Sequence, residues 1–249
     1  MKHTKINLQS FTEIAMKENF SYKSYEVTRV FDGIWAIDQS FVRSYLVEGT
    51  EKSLLIDTCA ENDDLFGLVA QLTEKPVMLV HTHSDHDHIA ASDQFEERYM
   101  HPSEFSLLRA NTTATWPVTP IREGAVIELG SRRIQVILLP GHTPGSIALL
   151  DIGNRILFSG DSVKGDIVYM FGPGRDLPAY WDSMQRLYAM RDGFDTILAC
   201  HGPLPLSPDV IPNLIEGAKL LHDGQLAGED DNSGMPCKLY RYKTAQFYY

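Results

Sequence analysis

His81-Thr82-His83-Ser84-Asp85-His86-Asp87-His88 is the stretch of this 249-residue chain on which its fold and chemistry turn. From His83 to His88 every residue except Ser84 is His or Asp. Imidazole nitrogens and carboxylate oxygens are the donors that divalent cations take, so the run reads as a metal cluster, with an ordinary solvated polar loop as the competing reading. Just upstream, Pro76–Val80 is apolar and predicts a strand that delivers the cluster at its carboxyl end. Three isolated candidates recur after other predicted strands, in Pro140-Gly141-His142-Thr143-Pro144-Gly145, Ser159-Gly160-Asp161-Ser162 and Cys200-His201-Gly202-Pro203. A lone His after a strand is usually structural. Here glycine accompanies all three and permits the close backbone approach that a shared cavity requires.

Working outward, Glu26–Phe31, Ile34–Asp38, Val42–Glu48 and Ser53–Asp57 are β-branched and aromatic runs separated by turn formers, which predicts antiparallel strands. A helical pattern follows at Asp63–Leu72. The second half repeats the style with strands at Val126–Glu128, Arg133–Leu139, Ser146–Asp151 and Arg155–Ser159. Helices are expected at Tyr180–Met190 and Asp209–His222, with a strand at Thr196–Cys200 between them. Two sets of strands, each with helices to cover one face, predict an α/β fold, a four-layer αββα sandwich spanning 1–249 as one domain. Residues 1–22 read as an N-terminal extension and 238–249 as an edge strand or docking segment.

The formal net charge of −11 disfavours a nucleic-acid partner, whose affinity would come from neutralised phosphates. No apolar run approaches a membrane span and no signal-peptide core is evident, so a cytoplasmic chain acting on a small-molecule substrate is expected. Cys59, Cys200 and Cys237 lack CxxC spacing, which speaks against a disulfide framework and a Cys-based zinc site.

Cluster, then PGHTPG, then FSGDS, then CHGP: in that order the motifs resemble the metallo-β-lactamase superfamily over nearly the whole chain. The resemblance implies an αββα fold, two adjacent metals in a groove at the sandwich edge, and hydrolysis by a metal-bound hydroxide. The family's first motif, H-x-H-x-D-H, fits here in two registers. In one, His81, His83, Asp85 and His86 satisfy it literally. In the other, His83, Asp85, Asp87 and His88 occupy it, with Asp85 in place of the middle His. The second is favoured because Asp87-His88-Ile89-Ala90-Ala91 resembles the family's D-H-I-G-G continuation. His81 and His86 would then be supporting residues.

On that register, the resemblance and the spacing together assign His83, Asp85 and His142 to one metal and Asp87, His88 and His201 to a second, with Asp161 bridging. Two divalent ions are expected, zinc first, manganese or iron as alternatives. Asp87 is the candidate for orienting the attacking water, pure ligation being its alternative. Three carboxylate ligands should weaken the field of the ions, making the site poorer at attracting polyanions and more tolerant of harder metals.

True β-lactamases of the family generally carry Cys at the position of Asp161. Hydroxyacylglutathione hydrolases resemble this chain in having Asp, but add a longer helical region than the 48 residues that follow His201. The expected activity is hydrolysis of a small ester, thioester or lactone. An iron-dependent oxidoreductase of the same fold, a β-lactam hydrolase and a non-catalytic metal-binding module are the alternatives. Lys164, Tyr169 and Arg175, in the segment after Asp161, are candidate substrate contacts.

Overall fold

The computed structural model describes residues 18–113, 115–231 and 234–249. Its first sheet holds eight strands in chain order: β1 (Asn19–Tyr22), β2 (Tyr25–Phe31), β3 (Ile34–Gln39), β4 (Val42–Glu48), β5 (Ser53–Ile56), β6 (Val77–Val80), β7 (Arg98–Met100) and β8 (Thr119–Pro120). The first five are joined by antiparallel pairings, whereas β5 to β8 run parallel. Helices α1 (Leu65–Leu72), α2 (His86–Ile89) and α3 (Phe105–Asn111) lie in the connections of this parallel half.

The second sheet has the order β14-β12-β11-β10-β9, built from β9 (Val126–Glu128), β10 (Arg133–Leu138), β11 (Ile147–Asp151), β12 (Ile156–Gly160) and β14 (Thr196–Ala199). A small third sheet pairs β13 (Val168–Tyr169) with the terminal hairpin β15 (Leu239–Tyr242) and β16 (Ala245–Tyr248). Helices α4 (Leu177–Ala189) and α5 (Ile211–His222) complete the chain.

The layering follows from the two-residue period of a strand. In the second sheet, Val136, Leu149, Phe158 and Leu198 belong to one core, shared with the first sheet. Their neighbours Ile137, Leu150, Leu157 and Ile197 belong to the other, with Leu177, Met184 and Leu187 of α4 and Leu214, Ala218 and Leu221 of α5. Both faces of this sheet are therefore apolar and covered. On the far side, α1 buries Leu65, Leu68, Val69 and Leu72 against the first sheet. The order helix, sheet, sheet, helix is the expected αββα sandwich.

Several elements depart from the sequence expectation. The expected 1–22 extension ends in sheet, since Asn19–Tyr22 is β1; residues 1–17 lie outside the described residues. Helix α4 starts at Leu177 and not Tyr180, because Asp176 caps it, its carboxylate accepting from Ala179 N at 2.9 Å, and Pro178 suits the first turn. Strands β7, β8 and β13 and helix α3 were not expected; each is too short to show a period. The tail is a hairpin that docks on β13 and packs against α5, so it is part of the fold.

Two glycines set the site loops. Gly141 (φ 138°) passes so close to Tyr180 that a Cβ would lie 2.3 Å from its Cα. Gly160 (φ 53°), at the end of β12, would place a Cβ 2.8 Å from the Thr82 side chain. Gly160→Ala therefore meets a left-handed backbone and a buried neighbour together, and should lower stability by about 2–4 kcal/mol in urea denaturation. A loss within ~0.5 kcal/mol would show that the loop relaxes freely.

Candidate metal centre

Four strand ends meet at one edge of the sandwich, and backbone hydrogen bonds lock them together. Ile147 N donates to Thr82 O at 2.9 Å, joining the two sheets, and Arg43 N donates to Cys200 O at 2.9 Å. The buried carboxylate of Glu104 ties two ligand loops, accepting from Ser84 N (2.9 Å) and Ser84 Oγ (2.6 Å) through Oε2 and from Gly145 N (2.7 Å) through Oε1.

Local conformation sorts the cluster into two groups. His83 and Asp85 sit two apart on extended backbone and share a side; α2 then begins and swings Asp87 and His88 to another. In the first group Asp85 Oδ2 lies 3.5 Å from His83 Nε2 and 3.3 Å from His142 Nε2, and Asp161 Oδ2 is 3.8 Å from His142 Nε2. In the second, His88 Nε2 and His201 Nε2 are 3.4 Å apart, each within 3.3 Å of Asp161 Oδ1 and within 3.6 Å of Asp87 Oδ2. Donors about 2.0–2.1 Å from a tetrahedral cation stand roughly 3.3–3.4 Å from one another, so both groups are spaced to hold one.

Further observations of the donors support that fit. His83 Nε2, His142 Nε2 and Asp161 Oδ1 are buried without a hydrogen-bond partner among the described residues, a costly state unless something else takes their lone pairs. Burial pushes His142 down to about 4, leaving its nitrogen unprotonated. At His88 burial is outweighed by Asp87, Asp57 and Asp161, which hold it well above the usual imidazole range; these carboxylates demand a positive charge there, a proton or a cation.

All four histidines turn Nε2 to the centre and anchor Nδ1 behind it. The anchors are Thr82 Oγ1 for His83 (3.0 Å), Asp57 Oδ2 for His88 (2.9 Å), Tyr169 O for His142 (2.9 Å) and Phe41 O for His201 (2.9 Å). Such partners orient a ligating imidazole and raise its basicity. None was expected in this role. Asp57 is fully buried at φ 61° just past β5, where burial alone would raise it, yet His88 and His81 hold it well below the usual carboxylate range. Its one sequence signal is an acidic residue directly after the apolar run Leu54–Ile56.

The sequence candidates are placed as follows. His83, Asp85, Asp87, His88, His142, Asp161 and His201 converge in the two groups. His81 does not join them: fully buried, it meets His88 O through Nδ1 (3.1 Å) and Ser92 Oγ through Nε2 (3.0 Å), supporting the turn of α2. His86 is exposed on the cavity wall and supports no ligand, contrary to the role expected for it. Lys164 and Arg175 line the cavity, and each is paired with a carboxylate of the centre. Lys164 Nζ is 2.7 Å from Asp161 Oδ2, and Arg175 forks onto Asp85. Tyr169 contributes its carbonyl to His142 and presents a partly exposed ring over the Lys164 ammonium. Cys200 is buried 3.5 Å from Asp57 Oδ2, its thiol pushed up to about 12 by burial.

The cavity above both groups has a volume of about 740 Å³ and is rimmed by Phe41, Asn111, Asp166 and Tyr169. Phe41, 62% exposed, stacks on His201 with ring centroids 6.0 Å apart. Among the described residues no helix is long and apolar enough to cross a membrane.

Comparison with known proteins agrees with this fold. Residues 37–201 match the family model of the metallo-beta-lactamase superfamily. The chain is 32% identical over 203 residues to the acyl-coenzyme A thioesterase MBLAC2 of Gallus gallus, covering 64% of this chain and 73% of that one. It is 27% identical over 128 residues to a hydroxyacylglutathione hydrolase of Gloeobacter violaceus, covering 51% of this chain and 50% of the relative. In fold it is similar to a metallo-beta-lactamase crystal structure from Erythrobacter litoralis, with a TM-score of 0.68 at 19% identity, over 81% of this chain and 99% of the other. The chain belongs to the metallo-β-lactamase superfamily.

Proposed function

We propose that this chain is a binuclear metal-dependent hydrolase of small thioester or ester substrates. The observation that carries the reading is the sharing of Asp161: one carboxylate gives Oδ2 to the first donor group and Oδ1 to the second, beneath one open cavity. Two divalent cations held there, zinc first among them, would polarise a carbonyl and acidify a water molecule. The chain's own residues position and bind. His83, Asp85 and His142 hold one side and Asp87, His88 and His201 the other. Asp87 borders the cavity, and its ion-pair contacts all use Oδ2, which leaves Oδ1 to accept a proton from the nucleophile. Phe41 and Tyr169 supply aromatic walls for an acyl group.

The thioester preference is supported by the relatives named acyl-coenzyme A thioesterase and hydroxyacylglutathione hydrolase. The test couples elemental analysis to turnover of acyl-coenzyme A, lactoylglutathione, aryl ester, lactone, β-lactam and phosphodiester substrates. About two divalent ions per chain are expected, with thioester or ester turnover that chelation abolishes and metal restores. Oxygen uptake with a single bound iron, or turnover confined to β-lactam or phosphodiester, would overturn the reading.

A further inference from the structure

Two of the three carboxylates in the centre are already matched by cations. Lys164 Nζ meets Asp161 Oδ2 at 2.7 Å. Arg175 reaches Asp85 across 90 residues of sequence and takes both of its oxygens, Nη1 standing 3.3 Å from Oδ1 and Nη2 bonding Oδ2. Among the described residues, the ion pairs of Asp87 are with imidazoles alone. The Arg175–Asp85 fork is largely withdrawn from solvent, with side-chain exposures of 13% and 19%. It is also held from behind, since the next residue, Asp176, donates its N–H to Gly141 O at 2.8 Å and caps α4. The backbone that carries His142 thereby carries the guanidinium too.

We propose that Asp85 and Arg175 act as one unit, a carboxylate donor whose charge is cancelled in place, with Arg175 as the compensating residue. Asp85 Oδ2 faces His83 and His142 and also takes Nη2, while Oδ1 takes Nη1 alone, so a cation entering the first group would share Oδ2 or shift the guanidinium onto Oδ1. A planar fork bonded to a carboxylate can stay on the outer oxygen while the inner one serves a cation. The pair would present the first donor group with the net charge of a neutral imidazole, which is the residue type the H-x-H-x-D-H pattern places there. This inference rests on the metal-centre reading above. It also revises the charge sum made from sequence: the two cations cancel two of the three carboxylate charges, so the field of bound ions is not weakened in the way three lone carboxylates would weaken it.

The test is a charge-matching series read by metal content after dialysis, by chelator competition and by near-ultraviolet circular dichroism. The wild type should keep about two ions. Asp85→His should lose one of them, because the guanidinium is left unpaired beside a neutral donor and repels the cation. Asp85→His/Arg175→Gln should regain it, with affinity within ~10-fold of wild type, whereas Asp85→His/Arg175→Lys, which keeps the charge, should stay defective. An Asp85→His/Arg175→Gln variant that is folded and as metal-poor as Asp85→His would overturn the proposal. If Asp85→His does not fold, Arg175→Gln alone decides: charge compensation predicts metal binding tighter by at least ~10-fold, and weaker binding overturns it. A wild-type chain that takes up no metal would instead overturn the metal-centre reading, and this inference with it.

Discussion

Asp161→Asn is expected to strip the cavity of both ions and to lower kcat/KM by at least ~10³-fold, about 4 kcal/mol of lost transition-state stabilisation. An amide keeps the shape of the side chain but offers one acceptor, so it can serve one donor group at most. Its NH₂ would face either Lys164 Nζ, which needs an acceptor, or the Nε2 lone pairs of His88 and His201, which it would occupy in place of a cation. The substitution also leaves Lys164, 4% exposed, without its counter-charge, at a cost of about 3–5 kcal/mol. Loss of metal and loss of fold are separable. Asp161→Asn/Lys164→Met removes the stranded ammonium and should recover most of the stability in urea while remaining metal-free by elemental analysis. Retention of two ions by folded Asp161→Asn would remove the bridging role.

The donor set could be read from the chain because it is written in short segments. His83 to His88 are contiguous, and His142, Asp161 and His201 each follow an apolar strand and sit beside a glycine. Register is a subtler matter. A literal pattern match takes His81 and His86, and only the small residues Ala90 and Ala91 downstream argue against it. Ala90 ends α2 and Ala91 is buried in the core beside the first sheet, while His81 supports the turn through His88 O. The residues that position the donors could not be read in the same way. Asp57 lies 31 positions from His88, Glu104 lies 41 from Gly145 and Arg175 lies 90 from Asp85. None of these pairings leaves a local period or motif, since the first exists only once β5 and β6 pair and the other two only once the sheets are stacked. The same limit explains the overstated negative charge of the site. Lys164 and Arg175 are visible as cations in the sequence, but the carboxylates they pair with are not.

Asp57→Asn should weaken metal binding in both groups by ~10–100-fold while costing only about 1–2 kcal/mol of stability, an imbalance that follows from proton placement. Asp57 Oδ1 accepts from Thr82 N at 2.7 Å. Its Oδ2 accepts from Thr82 Oγ1 at 2.7 Å and from His88 Nδ1 at 2.9 Å. The Thr82 hydroxyl, having given its proton to Asp57, can only accept at His83 Nδ1, 3.0 Å away. One carboxylate thus fixes the proton of His83 and of His88 on Nδ1 and leaves both Nε2 lone pairs for the centre. In the variant, the amide oxygen keeps the Thr82 N–H and the NH₂ replaces Oδ2. It must then donate to Thr82 Oγ1 and to His88 Nδ1, which moves the His88 proton to Nε2. The Thr82 hydroxyl, now free to donate, turns to His83 Nδ1 and moves that proton to Nε2 as well. Three of these hydrogen bonds survive with their direction reversed and the one from Thr82 N is unchanged, which is why the fold should persist, yet both imidazoles now present N–H to the cation. Thr82→Val isolates one arm: it removes the relay to His83 and leaves His88 on Asp57, so it should weaken the first group alone and retain about one ion. Equal loss from both groups in Thr82→Val, or full metal content in Asp57→Asn, would show that the tautomers are set elsewhere.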